Sequence, residues 1–448
     1  MPRSALLLLV IVLAGSAALH ADRARNPTSS YQSADERSYG KLAIALAESR
    51  QYGPPSTGLR DPLHWPPGAP ALFAAAHAVA GDPESARSND IPAAYWAQGL
   101  VSVGSALAAF LLAWALAGLW AGVIAAALVG FYPPLILATG EQVSEPLGAL
   151  LLTAGLAAFA WAARRDRWWL HALAGVLLGA AVLTRADLIL VPAIVAGIAG
   201  LWMWRGRREP RRGLMSAAAL ALGAAVAVLP WSTYASQREG GFVPVTQGSA
   251  APLFVGTYLP GGGHTVGMKR ALEDEVKAFR PKLRDVPAFE IPAGNYMDLV
   301  AARRPSESRD AAIRKEARHN LRLYALGEPG NYAVMLGDKV QRMWTRYARG
   351  GARPTSTAIR IWHVLLVLGA FAGLLAGIWR LRSVPMIVVL VIALYSTALH
   401  MLVVSQARYN LPLMPGLLAA GVAGWWLFLT ARAREIVTRP QTRAGDPS

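Results

Sequence analysis

The chain has 448 residues, 54% of them hydrophobic and 16% charged, with a formal net charge of +17. From Ile91 to Gly140 there is no Asp, Glu, Lys or Arg; that run is too long for one bilayer crossing and suits a helical hairpin, which excludes an ordinary soluble domain. The arginines cluster in short segments between apolar spans, so they speak for orientation and anionic headgroups rather than nucleic acid, and the absence of cysteine excludes disulfides and thiolate metal sites.

Ser4 to Leu19 follows Arg3 as a short apolar run, either a signal peptide or a first transmembrane helix. The small residues near Ala17 and Ala21 make a poor cleavage site, which favours a retained helix. Either way the stretch from Asp35 to Pro70 lies outside. It opens with the acidic pair Asp35-Glu36, continues as a helix-period segment through Tyr39, Leu42, Ala43 and Leu46, and ends in His64-Trp65-Pro66-Pro67-Gly68.

Pro92 to Leu137 reads as the charge-free hairpin, turning near Gly118 to Gly122 and returning Tyr132-Pro133-Pro134 to the outer face, where Glu141 and Glu145 follow. Leu147 to Ala163 then crosses inward and stops at Arg164-Arg165-Asp166-Arg167, a cytoplasmic marker. Trp168 to Trp204 is bracketed by arginines at both ends, so it is two helices of about 17 residues whose apex is Thr184-Arg185-Ala186-Asp187. Charges at that depth must face a polar cavity or each other.

Leu214 to Trp231 crosses outward into a polar region running to about Thr357, punctuated by Pro260-Gly261-Gly262-Gly263 and His264. Amphipathic stretches at Met268 to Arg284, Ser308 to Tyr324 and Tyr332 to Trp344 predict a folded subdomain or lid rather than a bare loop. Ala358 to Trp379 returns inward, Val384 to Val404 goes out to Arg408-Tyr409, and Leu411 to Leu429 comes back to Arg432, Arg434 and Arg439. The expected fold is an all-α polytopic membrane protein of about ten transmembrane helices with amphipathic exoplasmic loop helices and both termini inside. Its organisation is a transmembrane module over 1–231 with a first outer loop at about 21–90, an exoplasmic loop or lid over 232–357, and C-terminal helices with a basic tail over 358–448.

Drawn from apolar spans and arginine clusters alone, this topology places Asp35, Glu36, His64, Glu141, Glu145, Arg185, Asp187, His264, Arg408 and Tyr409 on one face. Carboxylates able to act as a base would then share that face with guanidinium groups able to hold a phosphate. Each residue also has a plainer reading. Asp35 is a good first-turn acid of a helix, Glu36 a supporting acid, and Glu141 and Glu145 solvated acids. Arg185 with Asp187 would be a structural pair, His64 an interfacial side chain in a turn, and Arg408-Tyr409 interfacial anchors.

Ala34-Asp35-Glu36-Arg37-Ser38-Tyr39, followed about 25 residues later by Trp65-Pro66-Pro67, resembles the opening of the GT-C membrane glycosyltransferases. The similar families are the dolichyl-phosphate-mannose protein mannosyltransferases, the aminoarabinose transferase of lipid A, and transferases that modify lipopolysaccharide core. Four further stretches fit: Glu141 to Leu151, Gly175-(x)3-Gly179-(x)4-Thr184-Arg185, Pro230-Trp231, and Arg408-Tyr409-(x)2-Pro412-(x)2-Pro415. The resemblance covers about residues 20 to 430 and is most specific in the first loop.

The resemblance implies transfer of a sugar, usually with inversion, from a polyprenyl-phosphate donor to a glycan, lipid or protein acceptor on the exoplasmic face of a bacterial-type cytoplasmic membrane, among membrane lipids. It makes Asp35 the base and Glu36 its neighbour. Tyr39, His64, Glu141, Glu145, Arg185, His264, Arg408 and Tyr409 are the candidate substrate-binding residues. Where the aminoarabinose transferase has a lysine before the proline, this chain has Trp65, with His64 one residue earlier, so Arg185 or Arg408 would hold more of the phosphate.

The chemistry agrees with the residue types. A sugar phosphate already carries a good leaving group, so one carboxylate suffices to deprotonate the acceptor, and arginine offers a fixed, permanently charged fork for the phosphate. No cofactor is required; Asp35, Glu36, Glu141 and His64 could ligate a divalent ion, but without the spacing of a zinc motif. The alternatives are a ligase or polymerase with a pyrophosphate-linked donor, and a lipid or polysaccharide transporter, which would carry polar groups near mid-membrane in several spans.

Overall fold

The computed structural model describes residues 2–27, 34–81, 88–165, 167–206, 210–346 and 356–438. Among these every regular element is helical. The first part comprises α1 (Arg3–Arg25), α2 (Ala34–Ser49), α3 (Gly68–Ala80), α4 (Pro92–Ala117), α5 (Leu119–Gly130), α6 (Pro133–Ala138), α7 (Glu145–Arg165), α8 (Trp168–Thr184), α9 (Val191–Gly206) and α10 (Pro210–Glu239). Six further helices, α11 (Ala250–Thr257), α12 (Thr265–Ala271), α13 (Glu273–Phe279), α14 (Ala293–Ala302), α15 (Arg309–Asn320) and α16 (Pro329–Thr345), make the central segment, outer to the long apolar helices. α17 (Thr357–Leu381), α18 (Val384–Leu402) and α19 (Met414–Thr438) complete the chain.

Seven helices among the described residues are long and apolar enough to cross a bilayer: α1, α4, α7, α9 with the turn before it, α10, α17 and α18. Three of the expected crossings fall on shorter apolar helices, Leu119–Gly130, Trp168–Thr184 and Met414–Thr430. The hairpin turns at Gly118, and the second hairpin turns at Arg185 through a short 3-10 turn over Ala186–Leu188. The chain is therefore an all-α polytopic membrane protein.

The helices pack as a connected bundle. α4 touches α1, α5, α7 and α19; α7 leads to α8, α8 to α10, and α10 to α9. The α8–α10 crossing is close because it is lined by small residues: a Cβ on Gly175 would strike the Leu220 carbonyl, and one on Gly223 the Ala172 carbonyl. Without a hydrophobic drive between helices in lipid, such backbone approach is what holds a pair together. The main core runs through this bundle from Leu112 and Tyr132 to Leu178, Leu374 and Leu417.

Two details differ from the sequence reading. The crossing expected to end at Trp231 continues as helix to Glu239, because Ser232 to Glu239 holds no breaker before Gly240 and the missing donor at Pro230 is absorbed within the helix. The first loop also contains α3, an apolar helix of 13 residues, about 20 Å long and so too short to register as a crossing. α3 packs on α2 through Tyr39, Ile44 and Phe73, and Ala94 of α4 completes this small core.

The central outer segment has a second core, built from Phe254, Met268, Leu272, Ile291, Tyr296, Ile313 and Val404. Several hydrogen bonds tie it to the bundle and the first loop. The Val404 N–H donates to the Pro252 carbonyl at 2.8 Å and the Gln247 N–H to the Leu63 carbonyl at 2.9 Å. Buried Lys339 donates to the carbonyls of Gly256 (2.9 Å) and Met401 (2.6 Å). Burial, with Arg342 nearby, pushes the Lys339 ammonium down to about 7.

Candidate active site

The residues singled out by sequence are carried by helix ends. Asp35 and Tyr39 stand one turn apart on α2 and share a face; Glu36, the next residue round, points elsewhere. The turn Pro62–His64 and the following Trp65-Pro66-Pro67 lead into α3. Glu145 opens α7, Arg185 follows α8, and Arg408 and Tyr409 lie in the 3-10 turn between α18 and α19. The opposite ends of α7 and α17 carry Arg164, Arg165 and Arg380.

These ends surround a cavity of about 510 Å³ lined by Asp35, Tyr39, His64, Glu145, Arg185, Arg408 and Tyr409. Seven of the ten candidate residues thus meet. Its remaining wall comes from Trp65, Ser144, Thr184 and Asp187, from Thr246 to Ser249 of the outer segment, and from Tyr395, His400 and Val404. The α3 wall is tight: a Cβ on Gly68 would lie 2.5 Å from Thr184 Oγ1 and 3.0 Å from the Leu183 carbonyl, so only glycine permits this approach.

The charges form a chain of pairs. The Arg185 fork donates to both oxygens of Asp187, Nε to Oδ1 at 3.1 Å and Nη2 to Oδ2 at 3.0 Å. Arg185 Nη1 and Arg408 Nε both reach Glu145 Oε1, each at 3.2 Å. Arg408 Nη2 pairs with Asp35 Oδ2 and its Nε with Gln406 Oε1 at 3.1 Å. Glu145 is only 3% exposed, whereas the Asp35 side chain is 40% exposed to the cavity. Two guanidinium groups therefore serve three carboxylates, with Asp35 the accessible end.

Burial raises the Asp35 carboxyl, but the Arg408 charge and hydrogen bond outweigh it, with help from His64 and Trp65, and hold it below the ordinary carboxylate range. Burial lowers the Arg408 guanidinium, yet Glu145 and Asp35 raise it overall. Tyr409 is pushed up to about 12 by burial, and burial also raises Tyr39, so both phenols stay protonated and can donate. The Tyr409 ring lies 5.4 Å from the Arg185 guanidinium carbon and 4.5 Å from the His400 ring.

Three candidates lie outside the cavity. His264 caps α12, its Nδ1 accepting from the Gly267 N–H at 3.2 Å, and burial with the charges of Arg342, Arg270 and Arg346 lowers it to about 4. The need to cap a helix in a Gly-rich turn accounts for that residue. Glu36 is buried on the other side of α2, near Tyr95. Glu141 lines a separate crevice of about 30 Å³ with Pro134 and Leu137 that meets Glu145 and Arg408 at its end. No group of three or more His, Asp or Glu suited to a metal ion occurs among the described residues, and of the proposed ligands only Asp35 and His64 line the cavity.

His400 and Tyr395 were not singled out by sequence. His400 Nε2 lies 3.3 Å from Asp187 Oδ2 and its Nδ1 3.1 Å from the Val404 carbonyl, while the Tyr395 hydroxyl donates to the Asp187 carbonyl at 2.8 Å. Together they brace the Arg185–Asp187 pair. The available signal was polar side chains inside the otherwise apolar run from Val384 to Val404.

No family model matches the chain, and no curated protein matches it. Solved structures do. The oligosaccharyltransferase AglB from Archaeoglobus fulgidus, in complex with an inhibitory peptide and a dolichol-phosphate, aligns with a TM-score of 0.57 at 17% identity over 99% of this chain and 53% of that one. The same enzyme tethered with an acceptor peptide gives 0.56 at 18% identity over 98% and 51%. ArnT from Cupriavidus metallidurans bound to undecaprenyl phosphate aligns more loosely, with a TM-score of 0.40 at 16% identity over 97% and 80%. The chain spans about half the length of the oligosaccharyltransferase. At these identities the likeness to the oligosaccharyltransferase structures establishes the fold alone.

Proposed function

We propose that the chain is a membrane glycosyltransferase that moves a sugar from a polyprenyl-phosphate donor to an acceptor hydroxyl at the outer face of a bacterial-type cytoplasmic membrane. The observation that supports this best is the meeting of Asp35, the accessible carboxylate, with Arg408 and Arg185 around one cavity at the helix ends. The fold shared with a dolichol-phosphate-bound oligosaccharyltransferase accords with it.

On this reading the donor phosphate enters beside Arg408 and Arg185. Arg408 is the cation it can reach, because its pair with Asp35 is open to the cavity, while the Glu145 contacts are sealed. The displaced Asp35 carboxylate accepts the acceptor hydroxyl proton, and the oxygen attacks the anomeric carbon as the bond from that carbon to the phosphate oxygen breaks. The phosphate leaves with the electron pair and is held by the guanidinium groups. Attack from the face opposite the phosphate inverts the anomeric centre. Protonated Tyr39 and Tyr409 can donate to sugar or phosphate oxygens, and His64 stands beside the base. The polyprenyl chain would lie along the apolar cavity wall of Ile189, Leu190 and Leu399, where each buried CH₂ is favourable by roughly 0.8 kcal/mol.

Purified protein incubated with radiolabelled polyprenyl-phosphate sugars and membrane extract should consume one donor and label one class of acceptor. Asp35→Asn should abolish transfer while the protein still folds and inserts; full activity in that variant would sink the assignment of the base. A chelator arm in the same assay separates stabilisation by arginine from a metal-assisted route.

A further inference from the structure

A second groove, also of about 510 Å³, lies on the other side of the turn that bears Trp65, between α2, α3 and the outward ends of α8 and α10. The two cavities share a wall: Trp65, Pro66 and Thr184 line the first, and Pro67, Gly68 and Leu183 line the second. A ligand in the second groove is therefore kept apart from Asp35.

The groove's chemistry is two-sided. Leu46, Ala71, Leu183, Ala227 and Pro230 make an apolar flank, continuous with Val226 and Leu229 of α10, which are 70% and 59% exposed on the surface a bilayer would cover. At its other end stands Arg50, exposed and without an ion pair among the described residues. Arg238 does not line the groove; it donates to neutral oxygens, the carbonyl of the lining residue Tyr52, the Gly53 carbonyl at 2.7 Å and the hydroxyl of the lining residue Tyr234 at 3.2 Å. No carboxylate lines the groove. An uncompensated guanidinium group on an apolar slot beside a membrane helix calls for a ligand with an anionic head and a hydrocarbon body.

We propose that this groove binds a membrane phospholipid with an anionic headgroup, its phosphate at Arg50 and an acyl chain along Leu183 and Ala227. A soluble phosphate would leave the apolar flank uncovered, and a lipid without net negative charge would leave the Arg50 cation uncompensated. The site is independent of the transfer reaction. It bears on the catalytic wall mechanically, because Tyr52 lines the groove and donates through its hydroxyl to the Trp65 carbonyl at 2.7 Å.

The test uses the full chain, delipidated in detergent and returned to nanodiscs containing phosphatidylglycerol and phosphatidylcholine with identical acyl chains, followed by native mass spectrometry of the retained lipid. The wild type should retain phosphatidylglycerol over phosphatidylcholine by roughly tenfold, the ratio one charge-assisted contact supports. Arg50→Gln should erase that preference, Ala71→Phe should lower retention of both lipids by filling the slot, and Arg318→Gln, an exposed charge elsewhere on the outer segment, should change neither. Equal retention of the two lipids by the wild type, a preference that survives Arg50→Gln, or unchanged retention in Ala71→Phe would each overturn the proposal.

Discussion

Removing the charge at Arg408 should raise the Asp35 carboxyl. With Arg408 present the carboxyl titrates below its ordinary range, so a base at this position stays ionised where an ordinary carboxylate would begin to protonate. In Arg408→Gln the burial contribution remains and the lowering one is lost, so the folded carboxyl rises and is protonated at higher pH. The acid limb of kcat/KM against pH should therefore shift upward in the residual activity of that variant; an unshifted limb would remove Asp35 from the role of base. Glu145 behaves differently. It is sealed and bonded to both arginines, so Glu145→Gln leaves two guanidinium groups facing one another and should cost roughly 3–5 kcal/mol of stability, read as a fall in apparent Tm. Asp35 and both arginines were legible in the sequence because charge beside an apolar span is conspicuous. Glu36, Glu141 and His264 were not separable from them, since a side chain's direction round a helix and its use as a cap depend on packing. His400 went unnoticed because one polar residue inside an apolar run resembles any other until Asp187 is placed opposite it.

Helices and their ends were more readable than their contacts. Charge-free runs and arginine clusters mark where helices start and stop, whereas the 13-residue α3 is too short for that signal. Its seating depends on Gly68, and Gly68→Ala would push a methyl group into Thr184. That substitution should cost about 1–3 kcal/mol and reduce transfer together with stability, while Gly337→Ala, whose Cβ meets nothing within 4 Å on α16, should be neutral or slightly stabilising. The first loop also meets the outer segment through a cluster of charges centred on the half-buried Asp298. Asp298 accepts from Arg60 and Arg309 and pairs with Arg280 at 2.8 Å, while Arg309 reaches Asp61 at 3.6 Å. The Arg60 and Arg280 side chains are 67% and 45% exposed, so their pairs with Asp298 contribute about 0–1 kcal/mol each. Asp298→Asn should leave Tm almost unchanged yet speed proteolysis around α14, an effect that added salt should imitate in the wild type.

The site is assembled from the first outer loop, the α8–α9 apex and the turn before α19, so no short segment contains it. Such a site is visible in sequence only as a shared face, and its internal pairing waits for the fold. That pairing has a consequence in time. While Arg408 holds Asp35, the carboxylate is engaged and a poor acceptor of protons. On the proposed reading the arriving phosphate competes for the same guanidinium and releases the acid, so the base becomes available only once there is a sugar to transfer. The kinetics should then be ordered, donor before acceptor, with little idle turnover by water.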